Sequence, residues 1–291
     1  MVTPGYLAFH PNPKKPDHAL PSHACDAHCH VFGPAARFPF ASTSTYAPVD
    51  APKETLFQRH RHLGVSRAVV VQASCHGTDN TAMLDALRAG GDDYRGVAVV
   101  AEDVTERALA EMHDAGVRGV RFNFVKRLGG GQAPSVYRAI LDAIEPLGWH
   151  VVVYFDAEDL EELAPFLRGI GVPVVIDHMG RVPVEQGVAS KPFRLLRDLL
   201  AGDEKFWVKT SCPERLSRTG PPYADVDPVA RALLETAPDR VLWGTDWPHP
   251  NMKSHMPDDG ALVDRIMTIC DTPALRRQVL VDNPARLYWA D

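Results

Sequence analysis

The sequence predicts an α/β protein folded as a (β/α)8 TIM barrel. Three observations carry this. Eight short segments rich in Val, Ile and aromatic residues recur along the chain, as strands buried on both faces do. Amphipathic stretches separate them, so strand follows helix throughout, which implies right-handed parallel βαβ units. The 291 residues suit eight such repeats, since a barrel of this kind takes roughly 250 residues. Neither a GxGxxG nor a Walker loop follows any segment, so a nucleotide-binding, doubly wound sheet loses support.

Residues 1–24 hold Pro4, Pro11, Pro13, Pro16 and Pro21 and no apolar core of a secretory signal. They are expected to form an extended arm, with one barrel domain over 25–291. The expected strands are CDAHCHVF (25–32), RAVVVQA (67–73), RGVAVV (95–100), VRGVRFNF (117–124), HVVVYFD (150–156), PVVIDHM (173–179), FWVKTSC (206–212) and RVLWGTDW (240–247). A Pro- and Ser-rich stretch, 33–52, follows the first strand and is long enough to fold over the barrel mouth. Helices are expected over 79–90, 105–115, 135–147, 158–169, 191–201, 224–237 and 260–270.

Composition narrows the function. A hydrophobic content of 45% with 23% charged residues fits a soluble globular protein. No apolar run approaches the roughly 20 residues that cross a bilayer, so no membrane partner is expected. A net charge of −6 argues against nucleic acid as a partner. It leaves room for an anionic small molecule held by local arginines. The five cysteines are scattered without a CxxC pair, which fits reduced thiols and a cytoplasmic setting. The pattern fixes no oligomeric state.

Barrel enzymes carry their chemistry at the C-terminal ends of the strands. The first strand there reads DAHCH. Strand side chains alternate, so His28 and His30 share a face and Cys29 opposes them. The sixth strand ends at His178 in DHMGR, and the eighth at Asp246 in WGTDWPHPN. Each alone has an ordinary explanation, a satisfied core histidine or a helix-capping aspartate. Converging on one axis from three strands, they form a far more specific constellation. Arg121 and Arg127 follow the fourth strand, Arg181 the sixth and Arg215 the seventh. Guanidinium groups favour planar, bidentate partners such as carboxylates, so four at one mouth of an acidic protein suggest a cradle for a dianion. Ser74 and His76 after the second strand, Tyr154 after the fifth and Tyr46 in the long loop add polar handles. Cys75 and Cys212 lack an evident base, and no GxSxG elbow is present. His249 and Asn251 follow Asp246 and are candidates to position it; Arg286 is expected to tie the last helix to the barrel.

The stretches DAHCHVFGPAARFPF, VVQASCHGTDN, GVRGVRFNFVKRL, GWHVVVYF, VVIDHMGR and VLWGTDWPHPN resemble the amidohydrolase superfamily. More narrowly they resemble the 2-pyrone-4,6-dicarboxylate lactonases. The HxH pair alone reaches only the superfamily; QASCHGTDN and RFNFVKR are the narrower signals. The resemblance implies a distorted, amidohydrolase-like barrel that opens the lactone ring of 2-pyrone-4,6-dicarboxylate. The product would be a linear unsaturated keto tricarboxylate, 4-oxalomesaconate, in the breakdown of lignin-derived aromatics. Asp246 would be the base, with His28, His30 and His178 polarising the carbonyl. Tyr46, Ser74, Arg121, Arg127, Tyr154, Arg181 and Arg215 would hold the carboxylates, with His76 a further substrate-binding candidate.

Metal sites in that superfamily generally add a carboxylated Lys on strand four or a His on strand five. Here strand four offers Arg121 and Asn123, with Lys126 beyond it, and strand five ends at Tyr154 with His150 at its far end. No cofactor is therefore expected; the alternative is a Zn²⁺ held by His28, His30, His178 and Asp246. Rival activities are a lactonase on sugar lactones or sulfo-muconolactones, and a Zn-dependent decarboxylase on the same barrel. A non-catalytic protein that binds small anions is a third.

Overall fold

A computed structural model describes residues 2–290. Eight parallel strands lie in sequence order in one sheet, β1 (Cys25–Cys29), β2 (Arg67–Val71), β3 (Tyr94–Ala98), β4 (Val117–Asn123), β5 (His150–Tyr154), β6 (Val174–Ile176), β7 (Phe206–Lys209) and β8 (Val241–Leu242). The expected strands are all present. Each is shorter than its apolar run, because the ends leave the ladder to enter the loops of the mouth.

Around the sheet run α1 (Lys53–Leu63), α2 (Thr81–Gly90), α3 (Glu106–Asp114), α4 (Pro134–Ile144), α5 (Leu160–Gly169) and α6 (Lys191–Gly202). They continue as α7 (Pro213–Leu216), α8 (Asp227–Thr236), α9 (Asp259–Ile269), α10 (Pro273–Arg277) and α11 (Asn283–Tyr288). Among the described residues no helix is long and apolar enough to cross a membrane.

Side-chain alternation sorts the strands into two layers. Ala27, Val69, Val71, Val97, Val152, Val175, Trp207 and Leu242 fill the barrel interior, with Tyr288 of α11 closing its lower end. The outward set, Val70, Val120, Val151, Val153, Val174 and Val208 among them, packs under the helices. The same parity aims Arg121, Asn123, Tyr154, Asp177, Lys209 and Ser211 inward, at or above the last apolar layer.

Strand β1 departs from strict alternation. Asp26 pairs with Ala68 but Cys29 with Val70, so β1 holds one extra residue. Such a bulge re-aims the side chains beyond it. Cys25 and Ala27 face the interior below the bulge. Above it the histidines turn in, and Cys29 packs outward in the main core.

The ring closes between β8 and β1 without a regular ladder. Ala27 N donates to Trp243 O at 2.8 Å, Asp246 N to His28 O at 2.8 Å and His30 N to Trp247 O at 2.7 Å. Asp26 adds a side-chain clasp, accepting from Thr245 Oγ1 at 2.6 Å and from the Thr245 amide at 3.0 Å. A Cβ on Gly244 would sit 2.4 Å from the His28 amide nitrogen, so only glycine lets these strands approach. The closure thus fixes His28 and Asp246 relative to one another.

The N-terminal arm is bonded along its length. Leu7 N donates to Met252 O at 2.8 Å, Arg59 Nη2 to His10 O at 2.5 Å, and Lys14 N to Asp258 Oδ2 at 2.9 Å. Arg286 lies over the Trp207 ring with its guanidinium carbon 4.7 Å from the centroid, which ties α11 to the barrel floor as expected.

Candidate active site

The strand ends bring one carboxylate and three imidazoles together. Asp246 Oδ1 lies 3.1 Å from His30 Nε2, 3.4 Å from His28 Nε2 and 4.0 Å from His178 Nε2. Its other oxygen, Oδ2, accepts from Arg215 Nη2 at 2.8 Å. Arg215 also donates to Pro250 O at 2.7 Å, which steadies the guanidinium from the loop after β8. Asp246 and His178 both have left-handed backbones, with φ of 64° and 50°. Non-glycine residues held there carry local strain of the sort that gathers at functional sites.

Each imidazole is wired differently. His30 Nδ1 faces Val71 O at 2.7 Å. A carbonyl only accepts, so Nδ1 carries the proton and Nε2 is turned to Asp246. His178 Nδ1 meets Ser211 Oγ at 2.7 Å. His28 Nδ1 lies 3.0 Å from Lys209 Nζ, and its Nε2 has no hydrogen-bond partner among the described residues. Burial drives His28 well below its ordinary pKa and His178 down to about 3, so both rings are neutral at ordinary pH.

A second carboxylate lies beneath. Asp177 Oδ2 accepts from Arg121 Nε at 3.0 Å and pairs with its Nη2 at 2.8 Å, a two-pronged contact. Its Oδ1 lies 3.3 Å from Lys209 Nζ and 3.2 Å from His28 Nδ1. Burial alone would raise the Asp177 carboxyl, but the charges of Lys209 and Arg121 hold it well below the usual carboxylate range. Burial likewise opposes Asp246, and Arg215 with the His30 contact outweighs it. Both carboxylates are ionised. Burial lowers the Lys209 ammonium while Asp177 opposes the shift.

Above this layer opens a pocket with about 360 Å³ free of protein atoms. Nine expected residues line it: His30, Tyr46, Ser74, Arg121, Arg127, Tyr154, His178, Arg215 and Asp246. Tyr46 confirms that the 33–52 loop reaches the mouth. Arg127 is exposed and has no ion-pair partner among the described residues, unlike Arg121 and Arg215.

Three expected residues are placed elsewhere. His28 is fully buried one layer below the pocket wall, under Asp246, so its neighbour is the carboxylate and not the cavity. His76 turns to the long loop, its Nδ1 3.3 Å from Pro39 O and its ring 5.0 Å from Phe40. Arg181 pairs with Asp156 at 2.8 Å and donates to Tyr154 Oη at 3.3 Å, bracing that tyrosine from outside the wall. The left-handed turn at His178–Arg181 carries it away from the axis.

Of the two candidates to position Asp246, Asn251 lines the pocket. His249 bonds Asp246 only through backbone, its amide donating to Asp246 O at 2.7 Å. Its ring faces away, to Asp259 at 2.9 Å and Glu214 at 3.4 Å. Those two carboxylates outweigh burial and raise His249 to about 10.

Asp177, Lys209 and Ser211 belong to the site but were not among the expected residues. Strand parity could have found Lys209: it shares a face with Trp207, in the middle of an apolar strand. Ligand-type atoms of His28, His178 and Asp246 lie within 4.8 Å of one another, close enough to meet at a metal.

Comparison with known proteins places the chain in a family. The amidohydrolase family profile matches residues 25–289. A 2-pyrone-4,6-dicarboxylate hydrolase of Comamonas testosteroni is 52% identical over 297 residues, 99% of this chain and 97% of that one. A 4-sulfomuconolactone hydrolase of Rhizobium radiobacter is 40% identical over 273 residues, 93% of this chain and 91% of that one. A structure from Acinetobacter baumannii, described as a probable 2-pyrone-4,6-dicarboxylic acid hydrolase with citric acid bound, superposes with a TM-score of 0.79 at 27% identity, covering 92% of this chain and 100% of that one. The chain belongs to the amidohydrolase family.

Proposed function

We propose that the protein hydrolyses the lactone of 2-pyrone-4,6-dicarboxylate to 4-oxalomesaconate. The observation that carries this is the pocket itself: Asp246, His30 and His178 share one wall with Arg121, Arg127 and Arg215. Ester chemistry and a dianion cradle therefore face the same space. The identity to the Comamonas testosteroni hydrolase supports this substrate, and citric acid in the Acinetobacter baumannii structure supports a site for carboxylates. Arg127, unpaired at the rim, takes one carboxylate as a charge-assisted contact. Tyr46, Ser74 and Tyr154 complete the cradle. Arg181 acts through Tyr154, and His76 through the loop that carries Tyr46.

The chemistry runs on the chain's own groups. His178, with Nδ1 accepting from Ser211 Oγ, directs its Nε2–H at the lactone carbonyl oxygen and stabilises the tetrahedral oxyanion, while His30, whose Nδ1 proton goes to Val71 O, turns Nε2 to Asp246 Oδ1. Asp246 takes a proton from water as the new C–O bond forms, then returns it to the ring oxygen as the ring C–O bond breaks. Bound guanidinium groups hold the carbonyl over the water, supplying orientation.

We infer that no metal takes part. A metal on His28 Nε2 needs a lone pair there and a proton on Nδ1, ordinarily given to an acceptor. Here Nδ1 lies nearest Lys209 Nζ, 3.0 Å away and without acceptor capacity, although the Asp177 Oδ1 acceptor is also within 3.2 Å. Arg215, Arg121 and Lys209 already outnumber the carboxylates of Asp246 and Asp177, and a dication would add to a positive cluster. The donor atoms are near enough, but the Lys209 contact at His28 and the surrounding positive charge disfavour Zn²⁺. All five cysteines are buried free thiols, which supports a reducing, cytoplasmic setting. We place the reaction in the breakdown of lignin-derived aromatics.

The test compares three lactones. Enzyme added to 2-pyrone-4,6-dicarboxylate should remove the pyrone absorbance. Its kcat/KM should exceed that for 4-sulfomuconolactone by at least about tenfold, a difference of 1.4 kcal/mol, and a neutral sugar lactone should not turn over. Preference for the sulfonated lactone would reassign the substrate; preference for the neutral one would remove the dianion cradle.

A further inference from the structure

Lys209 is fully buried in the barrel interior. A lysine is almost never fully buried without a paired role. Its ammonium offers three donors and no acceptor, and it meets two groups, His28 Nδ1 at 3.0 Å and Asp177 Oδ1 at 3.3 Å. Lys209 can only donate to Nδ1 and the Asp177 carboxylate can only accept from it, so the two contacts call for opposite tautomers. The contact from Lys209 to Nδ1 is a hydrogen bond, whereas Asp177 Oδ1, though 3.2 Å from the same nitrogen, has no aligned hydrogen-bond partner among the described residues. The Lys209 contact is the shorter of the two and the one aligned as a hydrogen bond, so it favours an accepting Nδ1. A neutral imidazole that accepts at Nδ1 carries its proton on Nε2. That nitrogen is buried, has no hydrogen-bond partner among the described residues and lies 3.4 Å from Asp246 Oδ1.

We propose that Lys209 is a positioning residue, which fixes His28 as the Nε2–H tautomer so that a donor, and not a lone pair, lies beneath the carboxylate of Asp246. The consequence follows from charge. In the other tautomer a nitrogen lone pair would face a carboxylate oxygen at 3.4 Å, and repulsion would turn Asp246 away from its water. In the Nε2–H form the ring holds Oδ1 from below, while Arg215 holds Oδ2 from the side. Lys209 and His28 both lie outside the pocket wall, so they act on the base and not on the ligand. The proposal rests on the lactonase reading only for its kinetic consequence; the tautomer stands apart from any substrate.

Two measurements test it. Neutron diffraction from the deuterated, ligand-free protein should show deuterium on His28 Nε2, none on Nδ1, and three on Lys209 Nζ. Deuterium on Nδ1 directed at Asp177 Oδ1 would overturn the proposal, whatever the substrate proves to be. Lys209→Met should then lower kcat for 2-pyrone-4,6-dicarboxylate by at least about tenfold, with KM within about threefold of wild type, as for loss of a group acting on the transition state alone. A folded Lys209→Met protein with unchanged kcat, or one that loses KM and kcat together, contradicts it. Should that variant fail to fold, the neutron result decides alone.

Discussion

Arg215 and Asp246 form the tightest charge pair in the pocket wall, Nη2 to Oδ2 at 2.8 Å, while the same carboxylate turns its other oxygen to three imidazoles. This divides the work of one side chain. Oδ2 is spent on holding position, and Oδ1 is the oxygen left for proton transfer. The pair also holds Asp246 ionised, so it is ready as a base at any ordinary pH.

Asp246→Asn keeps the shape and the Arg215 contact but removes the base. A positioned general base is worth about 10²–10⁴-fold, so kcat should fall by that factor with KM nearly unchanged. Steady-state kinetics on 2-pyrone-4,6-dicarboxylate checks this; wild-type kcat in the variant would reassign the base.

Arg127→Met should act on binding instead. A hydrogen bond to a charged group contributes about 1.5–3 kcal/mol, so KM should rise about tenfold to a hundredfold while the fold, read by circular dichroism, is unchanged. An unchanged KM would remove Arg127 from the cradle.

Stability should depend on pH from both sides. His178 and His150 have folded pKa values lowered to about 3, against about 6.5 unfolded. The unfolded chain binds more protons between those values, so their contribution is complete above pH 6.5 and is lost as pH falls towards 3. His249 has the opposite sign. Its folded pKa is raised to about 10, so its contribution is complete below its unfolded value and is lost as pH rises towards 10. Urea unfolding across roughly pH 4 to 10 should therefore give a maximum near neutrality. His249→Asn should flatten the alkaline side. A wild-type protein equally stable through the alkaline range would contradict the buried charge at His249.

Much of this site was legible in the sequence. Alternation placed His28 and His30 on one face, although it is the extra residue in β1 that turns them inward. Strand ends located Asp246, His178 and the arginines, because the barrel architecture puts such ends at one mouth. What stayed hidden depends on partners far along the chain. Helix α1 was not expected, since Arg59, His60, Arg61 and His62 obscure its apolar face. Arg59 and His60 are buried because Asp259 and Asp26 meet them from α9 and β1. Arg181 is diverted by Asp156, and His76 by the Pro39 carbonyl. Lys209 read as an ordinary strand residue until β1, β6 and β7 were assembled side by side.

The central claim is that Asp246, three imidazoles and the guanidinium groups open the lactone without a dication. The most direct measurement is turnover of 2-pyrone-4,6-dicarboxylate by enzyme stripped with a strong chelator, with metal content per chain determined on the same sample. The account predicts full kcat at negligible metal content. Loss of activity on stripping, restored in proportion to added Zn²⁺, would contradict it.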